Sequence, residues 1–288
     1  MVVWELDFYS RPLLDERGKK RWELLLCESP MAVTQDLSAL YRYSAFCDSS
    51  EVNSVWLRQG IEAAIAQAPA PPDRIRFFRR QMANMITKAC DDGGLLAVPS
   101  RRTLALSHWI EERLASVYPT MSGYSPGTSP SVSYPPEIPQ PLPDALRGDR
   151  WAVVSLEAGA LLEMSDWDVQ FGEAFPLSLT ALKPETPVPG LIIFSPRAGA
   201  ISAWLSGLEL AFLSVEPTQV GALGLLMHTG ASDAWILANL GDASVRREAE
   251  AFETMKQTAD KTHFLAIQES PDSQSFAGFW LLQERNLA

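Results

Sequence analysis

Two pairs of arginines carry the most specific chemical signal in this chain. Arg79 and Arg80 follow the strand-like run RIRFF, and Arg101 and Arg102 follow a second run, LLAVPS. If those runs are parallel neighbours, both pairs fall at the carboxyl edge of one sheet. Open α/β sheets bind ligands there, and helix N-termini add free N–H donors. A guanidinium at a helix N-terminus opposes the helix dipole at a cost of about 0.3 kcal/mol or more. Helix stability therefore does not account for the placement, whereas a phosphate ligand would. Arg74 and Arg76 alternate along the preceding strand, and Arg17, Lys19, Lys20 and Arg21 surround a turn at Gly18. These would extend a path for a nucleic-acid backbone, with solvated, carboxylate-balanced charge as the alternative for the turn.

Three carboxylates suggest a different chemistry. Glu5, Asp7 and Glu23 share the polar alternation of two N-terminal strands, and such a group can hold magnesium for phosphodiester cleavage. The polar face of an edge hairpin is a much commoner origin of such a row than a metal site, and no lysine stands two residues from Glu23. His108, His228 and His263 lack ligand spacing, and Cys27, Cys47 and Cys90 form no CxxC pair. No strand-to-helix GxSxG elbow and no GxxxxGK[ST] or GxGxxG motif is present, so no cofactor and no catalytic residue is predicted. Tyr9, Tyr41, Tyr43, Phe77 and Phe78 lie near the basic segments, where they would either stack bases or fill a core.

The elements that must position these groups read as α/β, or mixed α+β, in two domains. VVWELDFYS and RWELLLC alternate apolar and polar residues and predict a β-hairpin. A helix follows Ser50, with Leu57, Ile61, Ala64 and Ile65 on its apolar side. Next comes a β-α-β-α unit: RIRFF, a helix carrying Met82, Met85, Ile86 and Ala89, LLAVP, and a helix carrying Leu106, Trp109, Ile110 and Leu114. Residues 119–150 hold 8 of the 21 prolines and predict a linker between domains 1–118 and 151–288. The second domain starts at WAVVSLEAGALLEM and adds a βαβ unit, LIIFSPR to LAFLSVE. GALGLLMHTG, DAWILANL and an amphipathic helix near 242–260 follow, and HFLAIQE and FAGFWLLQE close a mixed sheet as an antiparallel pair. Arg102 to Trp109 is echoed by Arg197 to Trp204, each pair beginning at a strand-to-helix turn.

Charge is divided unevenly along the chain. The formal net charge is −11, yet residues 1–120 carry 15 Lys and Arg against 15 Asp and Glu, so the whole excess falls after residue 120. The first domain is therefore the candidate for a polyanion and the second is not. No apolar run reaches the ~20 residues of a membrane span, so stable membrane insertion is not predicted. With no leader-like N-terminus and unpaired cysteines, the expected compartment is the cytoplasm.

The strings WELDFYSRPLLDERGKKRWELLLCES, EVNSVWLRQGIEAAI, RIRFFRRQMANMITKAC, PSRRTLALSHWIEERLASVYP, GLIIFSPRAGAISAWLSGLE and HFLAIQESPDSQSFAGFWLLQE together resemble the Tab/Atab family, from Trp4 to about Leu282. That family comprises chloroplast translation activators of photosystem messages and their cyanobacterial relatives. The resemblance implies a protein that binds A/U-rich messenger leaders and meets translation or photosystem assembly factors. Without a transit extension, the chain resembles a cyanobacterial-type member. Placed on these motifs, the expected RNA contacts are Arg76, Arg79, Arg80, Arg101 and Arg102, with Arg197 and Trp280 as weaker candidates. A metal-dependent nuclease using Glu5, Asp7 and Glu23, and a protein-interaction scaffold in photosystem biogenesis, stand as the alternatives.

Overall fold

Strand β1 (Val3–Leu14) organises the first half of the chain, as seen in a computed structural model that describes residues 1–127, 138–218 and 223–285. Its alternation sends Trp4, Leu6 and Phe8 to one side and Glu5 and Asp7 to the other, and both sets are buried. β2 (Lys20–Glu28) pairs antiparallel with it, Trp4 opposite Glu28 and Ser10 opposite Trp22. Gly18, at φ +73°, closes the turn and donates its amide to the Asp15 carbonyl at 2.9 Å. That backbone conformation is cheap only for glycine. The expected hairpin is present. β3 (Arg42–Cys47) adds antiparallel to β2, β4 (Arg74–Phe77) parallel to β1, and β5 (Ala97–Pro99) parallel to β4, in the order β3-β2-β1-β4-β5.

The hairpin was expected at an edge, and the structure corrects this. β3, whose sequence RYSAFC lacks a clean apolar alternation, covers β2, and β4 covers β1. β1 and β2 are consequently inner strands of the sheet. α1 (Ser54–Gln67), capped by Asn53 on the amides of Val55 and Trp56, lies with α2 (Ala83–Asp92) over the Trp4, Leu6 and Phe8 face. α3 (Leu104–Glu112) covers the opposite face through Ala105, Leu106 and Trp109 against Leu25, Cys27 and Phe78. A π-helical turn, Arg113–Val117, follows α3 directly. Its extra residue per turn shifts the helical register, so Arg113 is buried and Leu114, expected on the apolar side, is 45% exposed.

The chain divides into two units, residues 1–30 with 36–135 and residues 31–35 with 136–286. Within the expected linker, residues 128–137 lie outside the described residues. On either side, Tyr124 bridges Leu13, and β6 (Gln140–Pro141) pairs with a later strand.

The second unit holds two sheets. β7 (Arg150–Glu157), β8 (Val169–Glu173), β9 (Pro187–Phe194), β13 (Thr262–Gln268) and β14 (Phe276–Gln283) form one, in the order β7-β9-β13-β14-β8. It is mixed, with β9 parallel to β13 and the expected terminal antiparallel pair β13–β14. β10 (Leu210–Pro217), β11 (Leu223–Thr229) and β12 (Asp233–Asn239) form the other with β6. α4 (Ala198–Ser206) and α5 (Ala243–Thr258) contribute Ile201, Leu205 and Phe252 to a core shared with both sheets.

A polar knot fixes α5 in that core. Lys256, fully buried, donates to the Leu213 carbonyl at 2.8 Å and pairs with Glu253 at 2.9 Å and Glu284 at 2.7 Å. His263 accepts the Leu213 amide on Nε2 at 2.8 Å, and its Nδ1 lies 3.0 Å from the Lys261 carbonyl. Burial, reinforced by the Lys256 charge and opposed by the Lys261 carbonyl, takes the His263 pKa from 6.5 down to about 3. A base depressed in this way stays neutral in the fold but protonates in the unfolded chain. Its contribution is complete above pH 6.5 and is lost as pH falls toward 3, by about 1.4 kcal/mol per pH unit. Urea titrations at pH 6 and pH 4 should show wild type losing stability with that slope, and His263→Gln losing markedly less.

Candidate nucleic-acid interface

The expectation about the arginine pairs turns on strand direction, and β4 and β5 are parallel neighbours with Phe77 opposite Pro99. The Ser100 amide donates to the Phe77 carbonyl at 2.8 Å, which ties the two strand exits together. The Ser100 hydroxyl then accepts the Arg102 amide at 3.0 Å and turns the chain toward α3. Arg79, Arg80, Arg101 and Arg102 therefore leave the same end of the sheet. Because β2 runs antiparallel to β1, Lys20 and Arg21 begin β2 at that end too, beside the turn bearing Arg17 and Lys19.

Burial separates the five expected contacts. Arg80 and Arg101 are partly exposed, whereas Arg76 (1%), Arg79 (8%) and Arg102 (5%) are buried. Arg76 stands opposite Glu5 across the β1–β4 pair, inside the sheet. Arg79 forks onto Asp7 through Nε and Nη2, and its guanidinium lies 3.9 Å from the Tyr9 ring centre. Tyr9 and Phe77 are buried in the core cluster beneath α1 and α2, with Tyr41 and Tyr43 packed against it, while Phe78 joins the cluster beneath α3. The core reading of the aromatics fits that placement.

Asp7 and Glu23 anchor a buried charge cluster at this end. Arg11 bridges them, with Nη1 2.9 Å from Asp7 and Nε 3.1 Å from Glu23. Arg113 pairs with Glu23 through Nη2, and the Tyr118 hydroxyl donates to Glu23 at 2.6 Å. Three guanidiniums thus meet two carboxylates. Burial works to raise the Asp7 pKa, but Arg79 and Arg11 outweigh it and hold the carboxyl below its ordinary range. Burial and the Glu23 charge push the Tyr118 phenol well above its usual range, despite the opposing pull of Arg11. Arg11 and Arg113 were not foreseen. A bulge between Ser10 and Leu14 breaks the period-2 pattern at Arg11, and the π turn breaks the helical one at Arg113.

The carboxylates expected to serve a nuclease are engaged otherwise. Glu5 accepts the Ser29 hydroxyl and the Leu106 amide, each at 2.7 Å, and Asp7 and Glu23 are held by arginines. Among the described residues, no group of three or more His, Cys, Asp or Glu is arranged to hold a metal ion. In the second unit Ser214, His228 and Glu216 come together, but not as a nucleophile and base. The Ser214 hydroxyl donates to Glu216 at 2.6 Å, and both groups contact the same ring nitrogen of His228, at 2.8 Å for Ser214 and 3.3 Å for Glu216. The serine proton is given to Glu216, and the carboxylate shares Nε2 with the serine instead of holding the far side of the ring, which is not the geometry of a triad. Burial raises the thiol pKa values, Cys47 to about 11 and Cys90 to about 12, and Cys27 lies well above its usual value. All three remain thiols rather than nucleophilic thiolates.

The echo between the units is visible in their turns. The Ser195 amide donates to the Gln268 carbonyl of a parallel neighbour, and its hydroxyl accepts the Arg197 amide at 3.2 Å, as Ser100 does for Arg102. Arg197 itself bonds the Arg147 carbonyl at 3.1 Å, and Trp280 is 4% exposed in the second core.

An α/β unit that gathers its arginines at the carboxyl end of a sheet belongs to the class suited to polyanion recognition. Residues 3–113 match the family model "RNA-binding protein Tab2/Atab2 N terminal", and residues 129–283 match "RNA-binding protein Tab2/Atab2, C-terminal domain". The chain belongs to the Tab2/Atab2 family of RNA-binding proteins. It is 38% identical to the chloroplastic TAB2 homolog of Zea mays over 97% of this chain and 70% of the relative. It is 37% identical to that of Arabidopsis thaliana, over 97% and 74%. Both relatives are designated chloroplastic, which overturns the cytoplasmic placement, and as plant proteins neither supports a cyanobacterial type.

The ion cluster makes a stability prediction with a definite sign. Asp7 is depressed below 3.8, so its contribution is complete above that value and disappears as pH falls through the lower folded value. Asp7→Asn strands Arg79 and Arg11 and should lower stability at pH 7 by about 3–5 kcal/mol. Urea titrations of wild type and variant should converge below pH 3.8.

Proposed function

We propose that this chain binds the leader of a messenger RNA at the cationic end of the first-unit sheet and thereby activates translation of a photosystem message. The observation that carries the reading is the convergence of Arg79–Arg80 and Arg101–Arg102 at the exits of two parallel strands, in a family of RNA-binding proteins. Arg80 and Arg101 touch phosphate. Arg76, Arg79 and Arg102 lie beneath them, and three guanidiniums against two carboxylates keep the local potential positive. The turn with Arg17 and Lys19 continues the path. The description of the family as RNA-binding proteins supports an RNA ligand, and the resemblance to translation activators of photosystem messages adds the translational part, with an A/U-rich leader as the ligand. The second unit, which carries the acidic excess, contacts translation or assembly proteins. Among the described residues no helix is long and apolar enough to cross a membrane.

The test uses solvent-facing cations so that the fold is preserved. Affinity for an A/U-rich leader and a G/C-rich control is measured across a salt series for wild type and an Arg17→Ala, Arg80→Ala, Arg101→Ala variant. Each lost phosphate contact should reduce the salt slope by about 0.7, so the variant should bind more weakly and with a shallower slope. An unchanged slope places the RNA elsewhere. Magnesium-dependent cleavage of the leader that Asp7→Ala abolishes would restore the nuclease reading, and absence of RNA binding at low salt would favour the scaffold.

A further inference from the structure

The second unit has a cavity that the RNA reading does not use. It measures about 320 Å³ and is lined by Met31 and Val33, by Leu162 and Met164, and by the edge strand β8 through Val169 and Gln170. All of these residues belong to the second unit. The volume stands at the small end of the ~300–1,000 Å³ range of ligand pockets, which suits one or two apolar side chains. Two methionines supply an adaptable apolar lining of the kind found at peptide-binding surfaces.

What adjoins the cavity narrows the occupant. Among the described residues, β8 ends the five-stranded sheet and pairs with β14 on one side only. A sheet edge offers a row of N–H and C=O groups to any extended chain. Residues 151–182 contain Glu157, Glu163, Asp166, Asp168 and Glu173, and no lysine, arginine or histidine. Residues 31–35 add no cation. Glu163, Asp166 and Asp168 are exposed. An acidic rim repels RNA and attracts a polycation.

We infer that β8 and its cavity form a docking site for a basic protein segment that adds to the sheet as a strand and inserts one apolar side chain beside Met31 and Met164. Backbone pairing supplies much of the affinity, the cavity selects the anchor, and the rim carboxylates select lysine or arginine at flanking positions. Gly172 is held by β14, because an added Cβ would collide with the Phe279 carbonyl. The edge is therefore probed through its rim instead.

The experiment measures fluorescence anisotropy of full-length protein with a labelled peptide of about nine residues, an ordinary strand length. The peptide alternates lysine and threonine around a central leucine, and controls carry glutamate for lysine or glycine for leucine. The basic peptide should bind saturably, both controls should bind at least about tenfold more weakly, and Glu163→Lys with Asp168→Lys should cost a similar factor. Leucine-dependent binding should also fall in Leu162→Lys. A/U-rich RNA is titrated in parallel to show that each variant retains its fold and first-unit function. Equal binding of basic and acidic peptides, wild-type affinity in the charge-reversed variant, or no saturable binding at low salt overturns the proposal. So does loss of RNA binding confined to the rim variant, which would make RNA the occupant.

Discussion

Asp7 and Glu23, fully buried on the two central strands of the first unit, set the constraint to which the surrounding elements answer. A carboxylate taken out of water costs several kcal/mol unless a cation and good hydrogen bonds compensate it. Compensation arrives from three directions along the sequence: from the bulged end of β1 through Arg11, from the exit of β4 through Arg79, and from the π turn after α3 through Arg113. Each supplier is an element boundary. The bulge and the π turn, which read locally as departures from regular structure, are the devices that aim these side chains. Because removing any one partner leaves a buried charge unpaired, the three boundaries are energetically coupled even though they are far apart in sequence.

The same arrangement explains how buried arginines relate to those at the surface. Arg79 and Arg80 are adjacent, as are Arg101 and Arg102, and in each pair one member is buried while the other remains partly exposed. A strand exit naturally divides consecutive residues between interior and solvent. The inner arginine is positioned by carboxylate or backbone, and the outer one sits above a positively charged interior. Its neighbourhood already favours an anion before any ligand approaches, which is the preorganisation that phosphate recognition needs.

Much of this was legible in the sequence where periodicity is unbroken. Trp4, Leu6 and Phe8 alternate without interruption and announced the hairpin, and Met82, Ile86 and Ala89 announced α2. Parallel pairing of β4 and β5 followed from the β-α-β order, and with it the meeting of the two arginine pairs. Illegible were the features that depend on partners distant in sequence. β3 carries Arg42 and Ser44 on alternate positions and becomes a strand only because β2 offers it an edge. Glu5, Asp7 and Glu23 read as a solvent-facing row because nothing local reveals that α3 will cover them. Division of the second unit into two sheets likewise depends on pairings among β6, β10, β11 and β12 that no local pattern encodes.

The distribution of acidic residues then acquires a physical meaning beyond net charge. In the first unit Asp7 and Glu23 are internal and paired with arginines, so they shape the fold without opposing a polyanion. In residues 151–182 the carboxylates include exposed ones with no cation among them in sequence, and they project their field outward. Screening limits each field to roughly 8 Å at physiological ionic strength, so each surface acts mainly on what approaches it closely. A uniformly neutral protein of this size would discriminate poorly between a nucleic acid and a basic polypeptide. If the first-unit sheet end meets RNA and the β8 rim meets a basic segment, as proposed, the segregated charge gives selectivity by repulsion as much as by attraction.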